Sequence, residues 1–114
     1  MTARFLVLWD TPSDVEAFER HYRDVHIPLA TSLPGLRRYS LGRQVTVVRG
    51  EGQPYLVGEL EFADGESLRA AFGSPEGQAC AADATDLAQH ASLRSFVYEL
   101  EDEFRADPAG AAPA

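Results

Sequence analysis

A split βαβ fold, an antiparallel four-stranded sheet with helices against it, is predicted by three observations. Apolar patterns along the 114 residues run strand, helix, strand, strand, helix, helix, strand, which is the split βαβ order with one added helix. Phe5-Leu6-Val7-Leu8-Trp9 is apolar at every position, whereas a half-exposed antiparallel strand alternates, so both faces of this first strand should be covered. Val15, Phe18, Tyr22 and Val25 recur at helical spacing, with Glu16, Glu19, Arg20 and Arg23 as the polar side, so one helix should lay an apolar face on the sheet.

Each element has its own local signal. Asp10-Thr11-Pro12-Ser13 reads as a turn, with Ser13 as N-cap and Glu16 at the third helical position forming a capping box. Pro28 should push Ile27 out of the helix and leave His26 in its last turn, where the helix dipole favours a protonated imidazole. Leu36 to Val48 reads as a long second strand with Gly42 as a candidate break, and residues 49–54 as a hairpin turn. Tyr55 to Phe62 is the third strand, with Leu56, Gly58, Leu60 and Phe62 on one face and Glu59 and Glu61 on a solvated one. Asp64 caps a helix containing Leu68, Ala71 and Phe72, Gly73-Ser74-Pro75 ends it, and an alanine-rich helix follows from about Glu76 to His90. Ser92 to Leu100 is the last strand. A single domain over residues 1–104 is expected, with 105–114 a flexible Ala/Pro/Gly-rich tail too poor in large apolar groups to pack alone.

Composition narrows the function. Hydrophobic residues make up 45% and aromatics 10%, enough for one small core that would gain from burying strand area in an oligomer. A net charge of −8 with no lysine argues against nucleic acid, because neutralising phosphates needs a basic surface. Arg37 and Arg38 read as an exposed pair at the start of a strand. Cys80 is the single cysteine, so no intrachain disulfide can form, and it reads as a small buried thiol. The apolar run after Met1 is too short for a signal-peptide core or a membrane span, so a cytoplasmic protein without membrane contact is expected.

The chemistry-bearing candidates gather at the end of the first helix. Tyr22 and His26 are four residues apart, so a helix sets them one turn apart on one face, where one small molecule can touch both. An imidazole needs little tuning to act as general acid or base near neutral pH, which makes His26 the first choice for catalysis. Against this stands the plain alternative that His26 caps the last carbonyls. Tyr22 and Tyr39 can donate to a carbonyl or a developing enolate, or can simply be core rings with a satisfied hydroxyl. Trp9 is a candidate wall for a flat ligand. His21 should point toward the polar surface, and His90 reads as a helix-end cap. His21 and His26, five apart, are badly placed to share an ion on one helix, so neither metal nor cofactor is expected. No dinucleotide fingerprint, phosphate loop or nucleophile elbow occurs.

Phe18, Tyr22, His26-Ile27-Pro28-Leu29, Leu33-Pro34-Gly35-Leu36 and Tyr39 together resemble the EthD family. The resemblance covers about a fifth of the chain, and the alanine-rich stretch from Ala82 to His90 departs from the pattern expected of it. It implies a ferredoxin-like α+β fold that pairs through its sheets into a dimeric α+β barrel, with a pocket between sheet and helices. Phe18 and Leu29 join Trp9 as expected substrate-pocket residues. The implied work is cofactor-independent chemistry, of dehydratase, cyclase or isomerase type, on a hydroxylated aromatic or polyketide-like molecule. The alternative is a small-molecule-binding accessory protein of an oxidative degradation or biosynthetic pathway, and a third reading is an interaction domain without a ligand. Fold alone names no reaction.

Overall fold

The computed structural model describes residues 1–106, so most of the expected tail, residues 107–114, lies outside the described residues. Strands β1 (Ala3–Asp10), β2 (Arg38–Gly42), β3 (Pro54–Phe62) and β4 (Leu93–Glu99) form one antiparallel sheet in the order β2-β3-β1-β4. Helices α1 (Val15–His21) and α2 (Ile27–Thr31), joined by a π turn over Tyr22–His26, connect β1 to β2, and α3 (Gly65–Gly73) and α4 (Pro75–Leu87) connect β3 to β4. This is a ferredoxin-like fold with one added helix. No helix among the described residues is long and apolar enough to cross a membrane.

The period-two rule sets which side chains meet the helices. Ala3, Val7 and Trp9 of β1 and Leu56, Leu60 and Phe62 of β3 are buried, and the register pairs β1 with β3 so that these sets share one face. Two clusters result. One gathers Ala3, Leu60, Phe62, Leu68 and Cys80, the other Val7, Trp9, Phe18, Tyr22, Leu56 and Leu87, and Phe5 packs against both. Gly58 faces inward among them, where a Cβ would meet Val7 Cγ1 at 2.8 Å, closer than real Cβ contacts come, so glycine there makes room for the Val7 side chain across the β1–β3 pair.

Several sequence expectations need correction. Asp14, not Ser13, caps α1, its carboxylate accepting the Ala17 N–H at 3.1 Å, while Ser13 donates to the His90 carbonyl. The second strand runs Arg38–Gly42 and not to Val48: its ladder ends at the Gly42–Val57 pair although β3 continues to Pro54, and Gln44 just beyond it takes a left-handed φ of 56°, which extended strand does not allow. The helix does not end before Pro28. Ile27 keeps right-handed helical angles (φ −59°, ψ −46°), and its N–H reaches the Tyr22 carbonyl five residues back. Proline cannot donate, and its ring crowds the carbonyl four residues earlier in a regular α-turn. The wider π turn absorbs that conflict, and Pro28 becomes an early residue of α2. Asp64 caps α3 as the sequence indicates, and Ser74 caps α4, which stops at Leu87 short of His90.

Among the described residues no helix covers the outer face of the sheet. Leu6, Leu8 and Val57 are half-buried there, Phe96 is 47% exposed, and Arg4 bridges Glu59 and Glu61 at 3.3 and 3.2 Å.

Candidate functional site

Between the two core clusters lies a cavity of about 250 Å³ that opens to solvent. The sheet supplies Phe5, Val7 and Trp9 from β1, Tyr39 from β2, Leu60 from β3, and Leu93 and Ser95 from β4, all inward-facing positions in the register. From the helical side come Tyr22, His26, Ala30, Phe72, Cys80, Ala81 and Ala84. The exposed Ala81 and Ser95 place the mouth between α4 and β4.

Trp9 and Tyr39 from the sheet and Tyr22 and His26 from the helical side thus line one cavity, while Phe18 and Leu29 do not. Phe18 is spent on packing: its ring stacks on Tyr22 at 5.5 Å and meets Trp9 edge-on at 5.4 Å. Leu29 packs from the side on the cluster around Ala30 and Leu33.

His26 is 7% exposed, and its Nδ1–H donates to Asp83 Oδ2 at 2.9 Å. A carboxylate oxygen only accepts, so the hydrogen sits on Nδ1, and Nε2 keeps its lone pair with no protein partner among the described residues. Burial holds the His26 pKa below the ordinary histidine value, and the charge of His21 adds to this; the Asp83 hydrogen bond and charge oppose it without cancelling it. The ring is therefore neutral at neutral pH. The protonated imidazole expected at a helix terminus is disfavoured here, because the helix continues past His26 and the site is desolvated.

Asp83 is also the acceptor for His21. Its Oδ1 takes the His21 Nε2–H at 2.7 Å, so His21 is half-buried and bonded, not a free surface group. Five steps of a regular α-helix would set two side chains roughly 140° apart. The π turn brings residues five apart to one side instead, and both imidazoles reach one carboxylate. No group of three or more His, Cys, Asp or Glu among the described residues is arranged to hold a metal ion.

The second polar pair is Tyr22 and Tyr39, whose hydroxyls lie 2.7 Å apart. Burial raises both phenol pKa values; Tyr22 raises that of Tyr39 further, whereas the hydrogen bond with Tyr39 lowers that of Tyr22 without cancelling the effect of burial, so both stay protonated. Two hydroxyls sharing one hydrogen bond leave one O–H free to donate. Trp9 Nε1 is buried without a partner, though near enough to the Tyr22 hydroxyl to offset part of the burial effect there. Cys80 is buried in the lining of the same cavity, and desolvation raises its thiol pKa, which makes it a poor nucleophile.

Sequence reasoning missed Asp83. Its signal was present: Gly77, Cys80, Asp83 and Leu87 form the buried stripe of α4, and a carboxylate on an apolar stripe demands a partner. Ser95 was missed for want of any motif.

Fold and site together define a ferredoxin-like α+β protein with an apolar cavity holding a histidine–carboxylate pair and a tyrosine pair. The chain belongs to the EthD family: residues 11–91 match the EthD domain. An uncharacterized 11.0 kDa protein in the thcB-thcC intergenic region of Rhodococcus erythropolis is 32% identical over 96 residues, covering 84% of this chain and 93% of that protein. The crystal structure of an EthD family protein from Bacillus halodurans C-125 superposes with a TM-score of 0.75 at 34% identity, covering 88% of this chain and all of that one. SnoaB, a cofactor-independent oxygenase from Streptomyces nogalater, shares the fold at 17% identity and a TM-score of 0.64, covering 92% and 98% of the two chains.

The depressed His26 pKa gives a stability test with a defined sign. The unfolded chain takes up this proton near the ordinary value of 6.5 and the folded chain only at lower pH. Stability linked to His26 is thus complete above that value and falls as the pH drops below it. Urea midpoints of wild type should fall between pH about 6.5 and about 5 more steeply than those of His26→Gln. Parallel curves would show that burial does not disfavour the charged ring.

Proposed function

We propose that the protein is a small cofactor-independent enzyme of dehydratase, cyclase or isomerase type, with His26 as general acid/base on a hydroxylated aromatic or polyketide-like molecule. The observation that carries this reading is the pairing, in one apolar cavity, of a neutral imidazole with a bare Nε2 and a protonated phenol pair with one free O–H. A base of this kind removes a proton from carbon next to a carbonyl or from a phenol. The free hydroxyl of the Tyr22–Tyr39 pair stabilises the oxyanion that forms. Return of the same proton elsewhere completes an isomerisation, and its delivery to a departing hydroxide completes a dehydration. The cavity is at the small end of ligand pockets, which run about 300–1,000 Å³, so a compact ring system suits it. EthD membership and a fold shared with a cofactor-independent oxygenase support chemistry without a cofactor. The carrier reading keeps the same cavity and assigns Nε2 to hydrogen bonding alone.

Turnover of hydroxylated aromatic compounds, screened by absorbance after thermal-shift selection of binders, separates the two. His26→Gln should lower kcat by about a hundredfold to ten-thousandfold with ligand binding and melting temperature little changed. Retention of turnover within about threefold, a gap below about 1 kcal/mol, would put the carrier reading first.

We propose further that the protein is a homodimer joined through the outer sheet face. Leu6, Leu8, Val57 and Phe96 form an apolar surface there that helices leave uncovered. Sedimentation at micromolar concentration should give twice the chain mass, and Phe96→Arg should give the monomer, since a stable interface of about 1,600 Å² does not tolerate an unpaired charge at its centre. A monomeric wild type would refute it.

A further inference from the structure

The π turn raises a question that the base at His26 alone does not answer: why a second imidazole is brought to the far oxygen of the same carboxylate. His21 Nε2 and His26 Nδ1 are 2.7 and 2.9 Å from Asp83 Oδ1 and Oδ2, so each oxygen serves one ring. The two rings open on different places. His26 lines the central cavity, whereas His21, with a side chain 38% exposed, lines a separate groove of about 260 Å³ formed with Ala17, Asp86, Gln89 and His90. Asp83 is 8% exposed and bridges the two.

We propose that His21 is a positioning residue that sets the basicity of His26 from the solvent side, acting through Asp83. The proposal rests on the assignment of His26 as the base. It goes beyond that assignment by giving the site an external input.

The physical argument has two parts. With Oδ1 held by His21, Asp83 cannot rotate away from His26, so Nδ1 stays protonated and Nε2 stays bare toward the cavity. A hydrogen bond to Oδ1 also draws charge from the carboxylate, leaving less to stabilise a cation on His26. When His21 carries a proton, its charge adds direct repulsion, in the same direction. The other titratable groups around the pair are Tyr22 in the π turn, Tyr39 on β2, and Cys80 on α4 beside His26, with Asp86 on α4 and His90 beyond it beside His21. The tyrosines and the thiol stay neutral through this range, since burial raises all three. Asp86 and His90 face only the groove, so they act on His26 through His21.

Two imidazoles bonded to one carboxylate are linked through it, so a proton on one weakens the hold of the other on its own. Proton NMR of the His26 ring, followed through a pH titration of the full chain, reads the coupling without any substrate. In wild type the His26 curve should be broader than that of a single site. His21→Gln keeps a donor for Oδ1 and removes the charge, so His26 should titrate as a single site with proton affinity raised about threefold, roughly half a pH unit. His21→Leu removes donor and charge and should raise it further. A His26 curve in His21→Gln that superimposes on wild type would overturn the proposal, and so would a shift to lower pH. The glutamine variant decides the matter if the leucine variant does not fold. Because the readout is the His26 titration itself, it stands or falls separately from turnover: an inactive protein can still show the coupling, and an active one can lack it.

Discussion

A single buried carboxylate organises the helical side of this protein. Asp83 lies on the otherwise apolar buried stripe of α4, with Gly77, Cys80 and Leu87, where an unpaired charge would cost several kcal/mol. Two imidazole N–H groups meet it, and both come from one short segment of chain because the π turn over Tyr22–His26 brings positions five apart to one side. The clamp joins α4 to the first helical connection, and it orients the ring that faces the cavity. Packing, polar satisfaction and the proposed chemistry therefore depend on the same three residues.

The cavity exists because the core is split. Small residues on the wall, Ala30, Cys80, Ala81 and Ala84, leave a gap that Phe5, Trp9 and Phe72 surround without filling. Gly58 extends the same logic to the sheet, since a side chain there would collide with Val7 on β1, another residue of the cavity wall. Close packing elsewhere makes such a gap costly, because lining atoms lose dispersion contacts on one side. The proposed ligand would fill this gap, beside the imidazole and the two phenols, and restore those contacts.

Most of the fold was legible because it is written in local periodicity: the strand and helix order, the inward face of β3, and the Asp64 cap all follow from spacing and residue type. Tyr22, His26 and Tyr39 were legible as a group through their spacing and their likeness to EthD proteins. What stayed hidden depended on contacts distant in sequence. The Pro28 rule concerns one regular turn and has no term for a π turn that relieves the clash, so it ended the helix too early. Placing His21 on the polar side followed from 100° per residue, and the same π turn defeats that arithmetic. Asp83 was visible as a misplaced charge on a stripe, but its partners lie 57 and 62 positions away, beyond any periodicity. Phe18 and Leu29 carry the family pattern for packing reasons, which a motif cannot distinguish from lining a pocket.

The state of the His26 ring is the most direct test of this account. Heteronuclear NMR of the ring nitrogens at neutral pH distinguishes a protonated from a bare nitrogen at each position. Held by Asp83 and desolvated, the ring should be a neutral tautomer with hydrogen on Nδ1 and a bare Nε2, giving sharply different nitrogen shifts. A ring protonated at both nitrogens, or one carrying its hydrogen on Nε2, would contradict the clamp and with it the proposed role of His26 as base.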